Sequence, residues 1–187
     1  TEADIPPVIG ADDPWHCRNK TALPVGGTSD APELGFYRRR SHAIVPITDC
    51  PVAMGSLNGV IAAVTKWMKY SRVQPYQELS GKGLLRHVVV RTSRSGALMV
   101  LLVATKAQLP GVDKLIAALK AIPGFTTLVV NINKARSNVI LGNECRTLFG
   151  DGVIFETLLG LTFEISPLSF FQVLSLIHIS EPTRPRL

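Results

Sequence analysis

The 187-residue chain is poor in cysteine: it has three, Cys17, Cys50 and Cys145, widely spaced and without a C-x-x-C pair. An odd number at such spacing argues against a disulfide framework and offers no complete metal site by itself. Each thiol, taken alone, reads as buried or spare. Long apolar runs are also missing, since the longest, near Ala97 to Ala104, is strand-sized. That is well short of the roughly 18 to 20 residues that span a bilayer as a helix. No charged-then-apolar leader opens the chain, so a soluble, cytoplasmic protein without a membrane partner is expected. There is no internal repeat and no low-complexity tract. Gly81-Lys82-Gly83 is too short for a phosphate loop and precedes a strand pattern, where a phosphate loop opens a helix. His42 and His87 have no Ser, Cys or carboxylate placed beside them by spacing, which favours structural histidines over acid–base catalysts.

What the chain does contain is apolar content and positive charge. Hydrophobic residues make up 46% of the sequence, enough for one well-buried core. Twenty Lys and Arg against fourteen Asp and Glu leave a net charge of +6, which suits a polyanionic partner.

The periodicities predict an α+β domain with a largely antiparallel sheet carrying helices on one face. Leu34 to Ile47 reads as two extended segments around the basic turn Arg38-Arg39-Arg40, and Pro46 marks the second as an edge strand or a strand end. Leu57, Val60, Ile61, Val64, Trp67 and Met68 recur at helical spacing, and so do Val112, Leu115, Ile116, Leu119 and Ile122, which Pro123-Gly124 stops. Between these helices, Leu85–Arg91 and Ala97–Thr105 read as a hairpin turned at Ser95-Gly96. Further strands are predicted over Phe125–Asn133, Val139–Leu141, Val153–Thr157 and Leu161–Ile165.

Four ordered segments carry a resemblance. They are Trp15-His16-Cys17-Arg18-Asn19-Lys20; Leu34 to Tyr37 running through Ser41 to Val45 to Asp49-Cys50-Pro51; Leu85 to Val88 with Val129 to Asn133 and Asn138 to Gly142; and Ile165-Ser166-Pro167-Leu168-Ser169-Phe170-Phe171-Gln172-Val173. Together they resemble the RNA (uracil-5-)-methyltransferases, most closely the branch that acts on 23S ribosomal RNA. The last segment is similar to the family's I-S-P-x-S-F-x-Q-V-N stretch, which opens its Rossmann-like S-adenosyl-L-methionine domain.

The resemblance implies ribosomal RNA as partner, with no protein partner evident and a monomer expected. It implies S-adenosyl-L-methionine as methyl donor, touched by Gln172 with Phe170 beside it, and Cys50 as one thiolate of a 4Fe–4S cluster that normally takes four. Cys17 and Cys145 do not match ligand positions. The family's nucleophile is a cysteine of the later domain that attacks C6 of a flipped-out uracil, so no residue here is expected to be catalytic and the chain alone is expected to be inactive. Arg18, Lys20, Arg38, Arg39, Arg40, Arg86 and Arg91 are the candidate RNA contacts, although a run such as Arg38 to Arg40 also suits a solvated turn. A non-catalytic RNA-binding module and the tRNA-directed branch of the same family are the alternatives; Cys50 in its box speaks against the latter, which lacks the cluster.

On this reading residues 1–164 form a central domain, 165–173 begin the S-adenosylmethionine domain, and the sequence is expected to be cut at both ends. Residues 174–187 resemble the conceptual translation of a sequencing-library adapter and are expected to be foreign to the fold.

Overall fold

In a computed structural model, residues 14–171 are described. Seven strands form one sheet in the order β3-β2-β1-β4-β5-β6-β7, and two more make a separate hairpin, β8–β9. In chain order the elements are β1 (Lys20–Gly27), β2 (Pro32–Tyr37), β3 (Ile44–Pro46), α1 (Leu57–Ser71), β4 (Leu85–Thr92), β5 (Leu98–Ala104), α2 (Val112–Lys120), β6 (Phe125–Ile132), β7 (Glu144–Phe149), β8 (Ile154–Leu158) and β9 (Leu161–Ile165). Every neighbouring pair is antiparallel except β5 and β6, which α2 connects as a parallel crossover. The expected α+β class and largely antiparallel sheet are therefore what the chain forms.

Both faces of the central strands are covered. On one face Val88, Val90, Val100, Leu102, Leu128 and Val130 join a core with α1 and α2; on the other, Val89, Met99, Leu101, Val103 and Val129 join Ile154 and Ile165 of the hairpin. This double burial explains why β5 is a continuous apolar run with no alternation. The predicted α1 stripe is buried throughout, and Trp67 satisfies its indole N–H on the Pro110 carbonyl at 2.9 Å. The α2 stripe buries Leu115 and Leu119 fully, with Val112, Ile116 and Ile122 packed at the margin of the same core. Gly124, at φ +79°, has no room for a Cβ, which would run into the Gly96 carbonyl of the β4–β5 turn.

Two elements differ from expectation. Val139–Leu141 is not a strand; Val139 is 62% exposed, and the neighbouring backbone is held by side-chain amides. Asn133 Nδ2 donates to the carbonyls of Val139 and Ile140, while Asn131 Nδ2 donates to Gly142 O and Asn131 Oδ1 accepts from Gly142 N. The strand pairing with β6 comes instead from β7, a sheet-edge strand without apolar alternation. The second difference is β1, whose Pro24 and Gly26-Gly27 disguise it. Its first half pairs with β4 up to Pro24, and pairing with β2 begins at Val25. Proline, which has no N–H to donate, is tolerated because it sits where the strand changes partners, at the end of the ladder with β4.

Candidate nucleic-acid interface

The turn between β2 and β3 is built for exposure. Arg38 N donates to the Ala43 carbonyl at 2.8 Å, Ser41 N to the Arg38 carbonyl at 3.0 Å, and Arg40 takes a left-handed φ of 57°. Closing the turn through its backbone leaves the Arg38, Arg39 and Arg40 side chains in solvent. Arg18 is also exposed, on the stretch before β1, where its backbone meets Val52 and Met54.

The structure places Arg86 and Arg91 inside, and so departs from the expectation that they face RNA. Arg86 is 5% exposed; its Nη1 donates to the carbonyls of Asn133 at 3.1 Å and Ala135 at 2.6 Å, and its guanidinium lies 4.5 Å from the centre of the Tyr76 ring. It fastens the loop after β6 to the start of β4, a use that suits the rigid fork of guanidinium donors. Arg91 is 4% exposed and donates from Nη2 to the Ser169 carbonyl at 2.6 Å. Burial lowers its affinity for the proton. Half-buried Lys20, the cross-strand partner of Arg91, is lowered by burial and then by that neighbouring charge.

His87, on the same sheet face as Arg91, is 8% exposed, and burial, followed by the Arg86 charge, pushes it down to about 4, with Glu78 opposing. It is a neutral, structural histidine at physiological pH. His87 Nδ1 and Arg91 Nε are buried without a hydrogen-bond partner among the described residues.

Arg91 also fixes the segment expected to open a cofactor site. Ser166 and Ser169 cap each other, Ser166 N donating to Ser169 Oγ at 3.0 Å and Ser169 N to Ser166 Oγ at 3.2 Å, with the two hydroxyls 2.7 Å apart. The turn releases Phe170, which is 89% exposed, and Phe171, which packs against the hairpin-side core. Gln172 lies outside the described residues.

The three thiols do not converge on one ligand set. Cys50 is partly buried beside the helix-side core, with its own N–H on Asp49 Oδ1 at 2.8 Å. Cys17 runs alongside Pro51 and Val52, through His16 N to Pro51 O and Arg18 N to Val52 O. Cys145 is on β7 at the other end of the sheet and accepts from Asn131 Nδ2 at 3.2 Å. Among the described residues no three His, Cys, Asp or Glu form a group able to hold a metal. The described residues thus hold no complete set of ligands for a 4Fe–4S cluster. Among the same residues no helix is long and apolar enough to cross a membrane.

Sequence reading missed Tyr37, Tyr76, Glu78 and Arg136, which the fold gathers into two adjoining clefts from the end of β2, the α1–β4 loop and the β6–β7 loop. No spacing rule joins such positions; only the pairing of β2 with β3 and the return of β4 bring them together.

No protein-family model matches the chain. It is 39% identical over 167 residues to an uncharacterized RNA methyltransferase of Clostridium acetobutylicum, covering 88% of this chain and 36% of that protein. It is 37% identical over 174 residues to one of Enterococcus faecalis, covering 92% and 38%. The chain thus spans somewhat over a third of the length of these relatives. Among solved structures, the tRNA (uracil-54, C5)-methyltransferase of Pyrococcus abyssi, in complex with S-adenosyl-L-homocysteine, shares the fold with a TM-score of 0.74 at 24% identity, over 90% of this chain and 39% of the other.

Proposed function

Because this chain belongs to the RNA methyltransferases, we propose that it is the central part of an enzyme that transfers a methyl group from S-adenosyl-L-methionine to uracil C5 in 23S ribosomal RNA. The observation that carries the proposal is likeness to RNA methyltransferases along about nine-tenths of the chain. The family segments quoted above supply the uracil and ribosomal specificity.

In this reading the methyl donor supplies the group transferred, and this chain holds and orients. Arg91, from the middle of the sheet, clamps the Ser166–Ser169 turn, which sets the direction in which Phe170 leaves the sheet. An amide such as Gln172 can donate and accept at once against the donor's polar groups. Arg18, Lys20 and Arg38 to Arg40 hold RNA phosphates, while Arg86 and Arg91 stiffen the sheet beneath them. Cys50 contributes one thiolate to a 4Fe–4S cluster whose other ligands match no residue of this chain.

The decisive experiment joins this sequence to the remainder of a full-length relative and supplies 23S or tRNA transcripts labelled with tritium at uracil C5. Tritium release from the ribosomal transcript, reduced when Gln172 is replaced by Ala, is the expected result. Release from tRNA alone would move the assignment to the other branch, and release from neither would end it. The chain alone is expected to release none.

Two further results are expected of the chain as it stands. Anaerobic reconstitution with iron and sulfide should leave well under one cluster per chain, because Cys50 is the single matched ligand; near-stoichiometric loading that survives Cys50→Ser would show that the wrong thiol is assigned. RNA affinity should fall steeply with salt. Replacing Arg38, Arg39 and Arg40 together by Ala should reduce the slope of log affinity against log salt by about 2 for a single-stranded RNA. An unchanged slope would return the run to a solvated turn.

A further inference from the structure

Beside the arginine turn lies a cleft with the chemistry of a base-binding subsite. Tyr37 ends β2, His42 follows in the turn to β3, and Tyr76 and Glu78 belong to the loop between α1 and β4. His42 Nδ1 is 2.9 Å from Glu78 Oε2, and the Tyr37 and His42 rings lie 5.6 Å apart, tilted by 55°. These four side chains help to line a cleft of about 360 Å³. That volume falls within the ~300 to 1,000 Å³ of small-molecule pockets. A narrower cleft of about 130 Å³ shares Tyr76 and Glu78 and adds Arg86 and Arg136. The site is accessible: the Tyr37 residue is 43% exposed and the Glu78 side chain 46%. Burial, and next the Glu78 charge, raise the Tyr37 hydroxyl above its usual range, with the Arg86 charge opposing.

An unstacked base needs an aromatic face, a hydrogen-bonding group at its edge, and cations for the phosphates on either side. Tyr37 and His42 provide rings, Glu78 an edge acceptor, and Arg38 to Arg40 adjoin Tyr37 directly in sequence. An ionised carboxylate only accepts, so it favours the base with the most adjacent donors. Guanine presents N1–H and its 2-amino group side by side, whereas uracil presents one N–H between two carbonyls that a carboxylate repels.

We propose that the Tyr37–His42–Glu78 cleft binds one unstacked guanine of a single-stranded RNA segment, with Arg38 to Arg40 on its flanking phosphates. The proposal rests on the RNA reading above and adds to it a site and a base preference. Tyr37 and Glu78 are binding residues in it, with no part in methyl transfer.

Fluorescence anisotropy with three labelled RNAs tests it: oligouridine, the same strand carrying one central guanosine, and one carrying inosine, which lacks the 2-amino group. The unaltered chain should bind the guanosine strand roughly tenfold more tightly than oligouridine, with inosine between. Tyr37→Ala should weaken guanosine-strand binding roughly tenfold without altering the salt slope, and Tyr37→Phe should retain it. Glu78→Gln should erase the preference among the three strands. Equal affinities for all three, with Tyr37→Ala silent while the triple arginine replacement still flattens the slope, would overturn the guanine site and leave the RNA reading standing. Failure of the unaltered chain to bind any strand at low salt would overturn both.

Discussion

Replacing Leu101 with Ala is expected to lower the unfolding free energy by about 3 to 5 kcal/mol, measured as a fall in the urea midpoint at unchanged m-value. Leu101 is fully buried near the middle of β5, on the face turned away from the helices. Val89 and Val129 are its cross-strand neighbours, and Ile154 and Ile165 of the β8–β9 hairpin belong to the same cluster. A truncation there leaves a cavity enclosed by a sheet and a hairpin, neither of which can collapse freely into it. The expected loss is a large fraction of the roughly 5 to 15 kcal/mol that holds a typical domain together. Leu161, in the same hairpin but 64% exposed, is the internal comparison, and its replacement by Ala should change stability by about 0.5 kcal/mol or less. A Leu101→Ala loss below about 1 kcal/mol would show that the hairpin does not close that face.

Acid should destabilise the chain through His87. Its folded-state value, near 4, lies below the ordinary 6.5, so the unfolded chain takes up the proton first. The stability linked to neutral His87 is therefore fully present above about pH 6.5 and is lost as the pH falls toward 4, by up to about 3 kcal/mol. Urea unfolding at intervals from pH 7 to pH 4 should show this decline. His87→Gln, which removes the titration, should flatten it over that window, although its stability at pH 7 will differ because the side chain is buried. An equal decline in the variant would assign the acid sensitivity to other groups.

The elements that declared themselves in sequence are those whose own residues determine their surroundings. The α1 stripe from Leu57 to Met68 carries a helical period, β4 holds the β-branched run Val88-Val89-Val90 and β5 is apolar throughout, and the two strands flank a Ser-Gly turn. β7 could not be read this way because an edge strand half-open to water needs no apolar alternation; its place depends on Asn131 of the preceding strand, whose side-chain amide reaches the carbonyls of Gly142 and Glu144. Charge was legible as amount and illegible as position. Arg38 and Arg86 look alike in sequence, yet one stands in solvent and the other meets backbone carbonyls below the surface, a difference that follows from which strand each lies beside. The Ser166–Ser169 turn was visible as a motif, but its tether to Arg91 was not, since the two lie on opposite sides of the β5–α2–β6 crossover in sequence.

The partner exchange within β1 has a consequence for synthesis. Lys20 pairs with Arg91, so roughly 70 further residues must leave the ribosome before that half of the strand meets its partner. At about 5 to 20 residues per second, the wait is roughly 4 to 14 s. A nascent strand with unclaimed amides is open to pairing with a neighbouring polypeptide, and Pro24, at the end of the half that waits, reduces that risk because it has no N–H to offer an incoming strand. The proline that makes β1 hard to recognise as a strand thus also makes its waiting half a poorer template until β4 arrives.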